Sequence, residues 1–289
     1  SILLNKYVIL GVTGPNEYEN NIDNNWYTNY SAKWCLEYTI YQLSEITKRS
    51  KRSNEFLYKE NGLSRNEISS WKKIIENIHL PYSKDLNVFI QNDGFLNKDL
   101  KPINNIPQSQ RPINQNWSWD RILRSPYIKQ ADVLQGFYFF EDDFSKTELV
   151  SNFKFYEQFT VHESSLSACI HSILASRINN IDKAYDYYVR ASRLDLDDYN
   201  KEIKQGLHIT SMGGSWMSIV EGFAGLKIKN DKIYFDTKIP KKWESYSFKV
   251  NIKNRKIEIK IDQKSTSAKL ISGDKINLTI NDTNTILNK

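Results

Sequence analysis

The chain turns on Gly11-Val12-Thr13-Gly14-Pro15-Asn16-Glu17-Tyr18-Glu19-Asn20-Asn21-Ile22-Asp23-Asn24-Asn25-Trp26-Tyr27-Thr28-Asn29. An apolar run from Tyr7 to Leu10 leads in, and an aromatic-rich helical pattern leads out. Gly14-Pro15 is turn chemistry, which puts Glu17 on a loop or a first helical turn rather than in mid-helix. Loops held by rigid elements carry catalytic groups, so Glu17 is a candidate acid. A plainer reading stands beside it: Glu17, Glu19 and Asp23 would merely favour the positive end of the next helix. Spacing alone favours the plainer reading, because short motifs match often by chance.

Downstream, residues 26 to 47 carry two stripes at a spacing of three to four: Tyr27, Tyr30, Trp34, Tyr38, Tyr41, and Leu36, Ile40, Leu43, Ile46. That pattern predicts a helix covered on most sides. Ser64 with Glu67 reads as a capping box opening a second helix that Pro81 stops. From Leu86 to Pro126 prolines and Asp93-Gly94 punctuate a long irregular stretch, with Phe89 and Ile90 in a short strand. A loop of that length often lines a site. Trp117, Trp119 and Asp120 near its end read as packing residues first and binding residues second. Lys129 to Phe140 is helical in pattern, Ser145 and Glu148 form a further capping box, and helices follow over about 166 to 178 and 182 to 194. His208 to Trp216 reads as a Gly-rich turn before a short helix ending near Gly225.

There the period changes from 3.6 to 2. Phe248, Val250 and Ile252 should pair with Ile257, Ile259 and Ile261 around a turn at Lys253-Asn254-Arg255-Lys256, with more strands near Ile233, Leu270 and Leu278. The chain therefore divides into residues 1–225, mainly α, and residues 226–289, a small antiparallel β-sheet or sandwich. Successive antiparallel helix pairs are how an α/α toroid reads.

Composition sets limits. A chain of 289 residues buries a substantial core, and its formal charge of +6 is spread among Asn, Asp, Glu and Ile rather than clustered. That argues against nucleic acid. The two cysteines, Cys35 and Cys169, lie in apolar helical patterns and read as small buried residues. No apolar run approaches membrane-spanning length.

Three polar loops at helix ends carry the candidate chemistry: 11 to 25, 160 to 167 and 208 to 216. In a toroid, alternate helix ends share one face, so these loops can converge on one pocket. His208 to Ser215 offers backbone N–H groups, the Ser211 hydroxyl and glycines permitting close approach, the requirements of an anion site; an ordinary Gly turn is the competing reading. His171 lies in an apolar helix and reads as structural. His162-Glu163 lacks the second histidine of a zinc helix, so a metal is not expected. One acid plus one anion cradle is a self-consistent set for phosphorolysis, because attacking phosphate needs no second carboxylate to activate it.

Four blocks carry a resemblance: Gly11-Val12-Thr13-Gly14-Pro15-Asn16-Glu17-Tyr18, Tyr127-Ile128-Lys129-Gln130-Ala131-Asp132-Val133, Thr160-Val161-His162-Glu163-Ser164-Ser165-Leu166-Ser167 and Ser211-Met212-Gly213-Gly214-Ser215-Trp216. In this order they resemble glycoside hydrolase family 65 along essentially the whole chain, and its maltose phosphorylases most. The resemblance implies the second half of an (α/α)6 barrel followed by a C-terminal β domain. Glu17 falls at the general acid, and Lys129 and Gln130 at sugar-contacting positions. His208, Ser211, Gly213 and Gly214 match the phosphate region, with His162, Ser164 and Ser165 as neighbours. The implied reaction is inverting phosphorolysis of maltose to β-glucose 1-phosphate and glucose. It would need phosphate as co-substrate, no organic cofactor and no metal; the whole enzyme is expected to be a cytoplasmic homodimer. Trehalose, kojibiose or nigerose are alternative substrates, and a non-catalytic carbohydrate-binding remnant is the alternative from another class. Family members begin with a large β-sandwich, the first half of the barrel and a Trp-Asp pair gripping the donor sugar. Their lack here implies a C-terminal fragment with exposed apolar helix faces and no activity by itself.

Overall fold

Within a computed structural model describing residues 1–288, the Lys51 side chain excepted, one helix is enclosed on every side. This is Ser167–Arg177, in which every residue from Ser167 to Ser176 is buried. Ala168, Ala175 and Ser176 let neighbours come close, and the buried hydroxyls are satisfied across the contacts. Ser172 donates to Ala184 O (2.8 Å) and Ser176 to Gly222 O (2.7 Å).

Among the described residues the α-helices are, in order, α1 (Trp26–Arg49), α2 (Lys51–Glu55), α3 (Arg65–Asn77), α4 (Ile113–Asn116) and α5 (Trp119–Arg124). They continue with α6 (Val133–Phe139), α7 (Lys146–Glu157), α8 (the enclosed helix), α9 (Ile181–Ser192) and α10 (Ile209–Met217). A two-stranded hairpin, β1 (Tyr82–Ser83) and β2 (Val88–Phe89), interrupts them. The helical core is aromatic. Trp26 is fully buried, with ring centroids 5.1 Å from Tyr30, 4.8 Å from Phe89 and 6.1 Å from Phe137.

Past Leu226 the strands are β3 (Lys227–Lys229), β4 (Lys232–Phe235), β5 (Ser245–Ile252), β6 (Arg255–Asp262), β7 (Thr266–Ser272), β8 (Ile276–Ile280) and β9 (Thr283–Leu287). β5 and β6 pair as expected, but around a two-residue turn, Lys253-Asn254, in place of the expected four residues: Ile252 lies opposite Arg255, Val250 opposite Ile257 and Phe248 opposite Ile259, a register shifted by two. The first sheet runs β3-β4-β8-β9 and the second β5-β6-β7, and their apolar faces form one core with Val220 and Ala224. β4 and β8 are parallel, so the module is mixed rather than purely antiparallel. Gly225 makes the junction at φ +60°, where a Cβ would lie 2.5 Å from Asp236 O; only glycine fits.

Several expectations fail for identifiable reasons. α1 is a helix, but only Trp26, Asn29 and Tyr30 are buried along it, leaving Trp34, Tyr38 and Tyr41 exposed. Residues 129 to 132 are not helical; at their start the Lys129 N–H donates to Asn16 Oδ1 and its carbonyl accepts from Glu163 N–H. Ser64 caps α3 through Glu67 N–H (3.0 Å) without the reciprocal half of the box, whereas Ser145 and Glu148 make both halves. The Gly-rich turn expected at 208 to 216 is a helix, continued by π-helical turns over Ser218–Phe223. Gly214 serves close packing of α10 on α8, since a Cβ there would lie 2.6 Å from Cys169 Cβ. Gly213 faces open space.

The two adjacent glycines should therefore respond oppositely. Gly214→Ala overpacks the contact and should cost about 1–3 kcal/mol. Gly213→Ala should stabilise the helix by up to about 1 kcal/mol. Urea unfolding measures both, and equal losses would argue for a turn instead of a helix.

Candidate active site

The loop around Glu17 is clasped at its base. Val12 N–H donates to Ile22 O (2.9 Å) and Ile22 N–H to Val12 O (3.0 Å). Asn21 and Asn24 take positive φ (52° and 53°), which asparagine tolerates better than most residues. Glu17 projects from the turn beyond, its side chain 54% exposed. The carboxylates read as helix-end charges have other work. Glu19 is buried against Lys98 and accepts from Gln91 Nε2 (2.5 Å), and Asp23 accepts from Gly11 N–H (3.0 Å). α1 has no acidic residue in its first turn; Asn25 caps it, accepting from Thr28 N–H (2.9 Å).

Residues 127–132 form a wall beside this loop. Ile128 N–H donates to Phe159 O (3.0 Å), Val161 N–H to Ile128 O (2.8 Å) and Glu163 N–H to Lys129 O (3.2 Å), a short parallel ladder. The wall holds the turn by Lys129 N–H on Asn16 Oδ1 and Gln130 Nε2 on Pro15 O, both 2.9 Å. Lys129 Nζ donates to Glu17 Oε2 at 2.6 Å. Glu17, Lys129 and Gln130 are thus brought together.

Asp132 ties the assembly down. Its carboxylate is buried and accepts from Asn16 N–H (2.9 Å) and Asn25 Nδ2 (3.0 Å). Burial pushes its pKa up to about 7, against the lowering effect of those two bonds. Gly14 lies so close that a Cβ would sit 2.4 Å from Asn25 Nδ2 and 2.7 Å from Asp132 Oδ2. On the far side of the turn, Tyr18 donates its hydroxyl to Glu163, which also accepts from Ile113 N–H (2.8 Å). Burial, then the Glu163 charge, raises the Tyr18 pKa and keeps the phenol a donor.

The expected anion region is arranged differently. His208 lies at the N-cap position of α10, yet its backbone N–H donates to Asp195 Oδ2 (2.9 Å) and its Nδ1 lies 2.5 Å from Asp195 Oδ1. Its Nε2 is 3.7 Å from Glu202. Ser211 is buried and donates its hydroxyl to Ala191 O (2.7 Å), while Gly213 and Gly214 are helical. His162, expected as a neighbour of phosphate, is turned into the core. Its Nδ1 is 2.8 Å from Ser167 Oγ, and its ring packs on His171 and Tyr187. Burial holds its pKa well below the usual value, so it brings no positive charge. Ser164 Oγ accepts from Leu166 N–H (3.2 Å) and Ser165 is half-buried. Glu17 and Ser211 make no direct contact; α9 links their surroundings, Arg190 Nη2 donating to His162 O (2.9 Å) one residue before Ala191.

Sequence reasoning missed Asp132, Asn16 and Asn25 as positioning groups, and Asp195 and Glu202 as partners of His208. Asp132 left a signal, a lone carboxylate beside the apolar run Val133-Leu134. Among the described residues, no group of three or more His, Cys, Asp or Glu side chains is placed to hold a metal ion.

A loop-borne carboxylate on a braced turn thus stands beside a lysine and an amide, in a helical chain followed by a β module. The profile of the glycosyl hydrolase family 65 central catalytic domain matches residues 3–217, and that of the family's C-terminal domain matches residues 226–287. The chain belongs to glycosyl hydrolase family 65. It is 48% identical over 276 residues to a maltose phosphorylase of Bacillus subtilis, covering 96% of this chain and 36% of that protein. An α,α-trehalose phosphorylase of Thermoanaerobacter brockii is 39% identical over 99% of this chain and 37% of its own. A solved structure of a candidate kojibiose phosphorylase from the human microbiome superposes with TM-score 0.88 at 35% identity, over 98% of this chain and 37% of that one. The chain therefore spans little more than a third of the length of these relatives.

Replacing Asp132 by Asn leaves one of two buried donors without an acceptor and should cost about 1–3 kcal/mol. The pH dependence gives a second readout. The folded state holds the Asp132 proton up to about pH 7, whereas an unfolded aspartate releases it near pH 4. This group's stabilising contribution is complete below about pH 4 and is lost as pH rises through about 7. Buried His162 and His171 act in the opposite sense, so the comparison is wild type minus variant. Melts from about pH 4 to 8 should show that difference shrinking as pH rises; a constant difference would count against the assignment.

Proposed function

We propose that this chain carries the proton donor and part of the sugar site of an inverting α-glucoside phosphorylase, with maltose as the first substrate to test. The observation that supports it most is the placement of Glu17: an exposed carboxylate on a braced turn, one hydrogen bond from Lys129 and beside Gln130. In this reading Glu17 protonates the glycosidic oxygen as that bond to C1 breaks. A phosphate oxygen attacks C1 from the opposite face, giving β-glucose 1-phosphate and glucose. Lys129 orients the Glu17 carboxyl and reaches a sugar hydroxyl. The nucleophile arrives already ionised, so no second carboxylate is needed. No organic cofactor or metal enters the scheme.

Phosphate is assigned to the start of α10, through the positive helix end and His208. Asp195 holds the same donors, so phosphate and this carboxylate would be alternative partners of one site. Gly213 and Gly214 fall out of direct contact in this scheme, and His162 supports the loop from behind. The relatives named for trehalose and kojibiose keep those sugars open as alternatives to maltose.

The test is phosphate-dependent release of glucose 1-phosphate from a panel of α-glucobioses. The 289-residue chain assayed alone should not turn over; supplying the preceding part of a family 65 barrel in trans should restore activity. In the reconstituted enzyme Glu17→Gln should lower kcat by at least about 100-fold. His208→Ala should raise KM for phosphate more than KM for the disaccharide. Full activity in Glu17→Gln would overturn the proposal.

A further inference from the structure

Tyr18 packs in a small apolar cluster with Ile106, Ile122 and Tyr127, and the stretch 99–127 lines an open cavity of about 480 Å³ that the reaction above does not use. Its floor and wall are the rings of Tyr127 and Trp117, centroids 5.6 Å apart and inclined at 61°. Arg121 lies flat on Trp117, its guanidinium carbon 3.6 Å from the ring centroid. Unlike Lys101 and Arg124, which pair with Asp99 (2.6 Å) and Asp120 (3.0 Å), Arg121 makes no carboxylate pair among the described residues. Its one side-chain hydrogen bond is to Gln110 Oε1 at 3.4 Å. Trp117 Nε1 donates to that same oxygen (2.8 Å), which orients the Gln110 amide so that its NH2 makes no hydrogen bond among the described residues.

We propose that this cavity is a second binding site, separate from the Glu17 site, for a hexose monophosphate. The unpaired guanidinium fork is the shape that takes two phosphate oxygens at once, and stacking on Trp117 holds it in orientation. The Gln110 NH2 and the Tyr127 hydroxyl add donors. The Trp117 and Tyr127 rings offer apolar surface to a sugar face, and the Asp99 and Asp120 carboxylates can accept from its hydroxyls. The volume accommodates one hexose and its phosphate. The lining residues among those described all come from one stretch, so the proposal does not depend on whether Glu17 acts as proposed.

Calorimetric titration of the purified 289-residue chain with glucose 1-phosphate tests it. Saturable binding should weaken at least about tenfold in Arg121→Gln and measurably in Arg121→Lys, which keeps the charge but not the fork. Arg121 is exposed, so melting temperatures should not change; Tyr127→Phe gives an independent variant, expected to weaken binding by a smaller factor. Glucose alone should bind at least about tenfold more weakly. Loss of binding in Glu17→Gln but not Arg121→Gln would place the ligand in the other site and overturn the proposal. Equal affinity for glucose and its phosphate, or no saturable binding at millimolar ligand, would also overturn it.

Discussion

The buried carboxylate of Asp132 is the constraint on which the rest of the site depends. Its two accepted bonds reach the backbone of Asn16 and the side chain of Asn25, so one group fixes the Glu17 turn and the capping residue of α1 together. Neither bond is replaceable by water, because the carboxylate is enclosed and Gly14 leaves no room above it. A buried anion without a cation is costly, and the molecule answers with partial neutralisation, the proton held up to about pH 7. The turn is rigid at its root and open at its tip. That combination lets an exposed acid keep a fixed direction.

The same logic extends inward. The ladder from Ile128 to Glu163 passes the position of the 127–132 wall to the segment leading into α8. α8 is enclosed, so that segment has little freedom to shift. Arg190 on α9 holds His162 O, and Ser211 on α10 holds Ala191 O. The two proposed ends of the reaction are therefore braced against one stack of helices. Sub-ångström placement of reacting groups is what such bracing provides.

The fold's broad plan could be read from periodicity: helices to Phe223, strands from Lys227, and the pairing of β5 with β6, though not its register, because the turn takes two residues where four were expected. Periodicity fails where a backbone is captured from outside. Lys129 to Asp132 has helical spacing, yet Asn16 takes the Lys129 N–H and Glu163 its carbonyl, and the segment runs as bends into α6. Gly213-Gly214 looks like a turn because glycine usually marks one; here one glycine makes room for Cys169 and the other simply tolerates the helix. The stripe Trp34, Tyr38, Tyr41 shows the opposite limit, since apolar spacing predicts a helix but not whether anything covers it. In the candidate site, Glu17, Lys129 and Gln130 were legible because they sit in turn chemistry and in a motif. Asp195 and Glu202 were not, because a carboxylate's partner beyond a loop leaves no periodic trace, and Asp132 was marked only by its place beside Val133-Leu134.

Those hidden carboxylates change the physics of the proposed anion end. A bare helix start with a histidine would bind phosphate by adding favourable contacts to unsatisfied donors. Here the donors are already spent on Asp195, so phosphate gains only the difference between two anions competing for them. A dianion with three acceptor oxygens outmatches a single carboxylate on charge, but Asp195 is tethered and needs no ordering. The exchange favours phosphate only if Asp195 finds another partner when it leaves. At the other end Glu17 is paired with Lys129, so it too must loosen an ion pair and carry a proton before it acts, although its turn stays braced from below. Both ends of the proposed reaction thus start self-satisfied, but the acid gives up one contact to a flexible lysine while phosphate must displace a carboxylate that holds both the His208 backbone N–H and its ring.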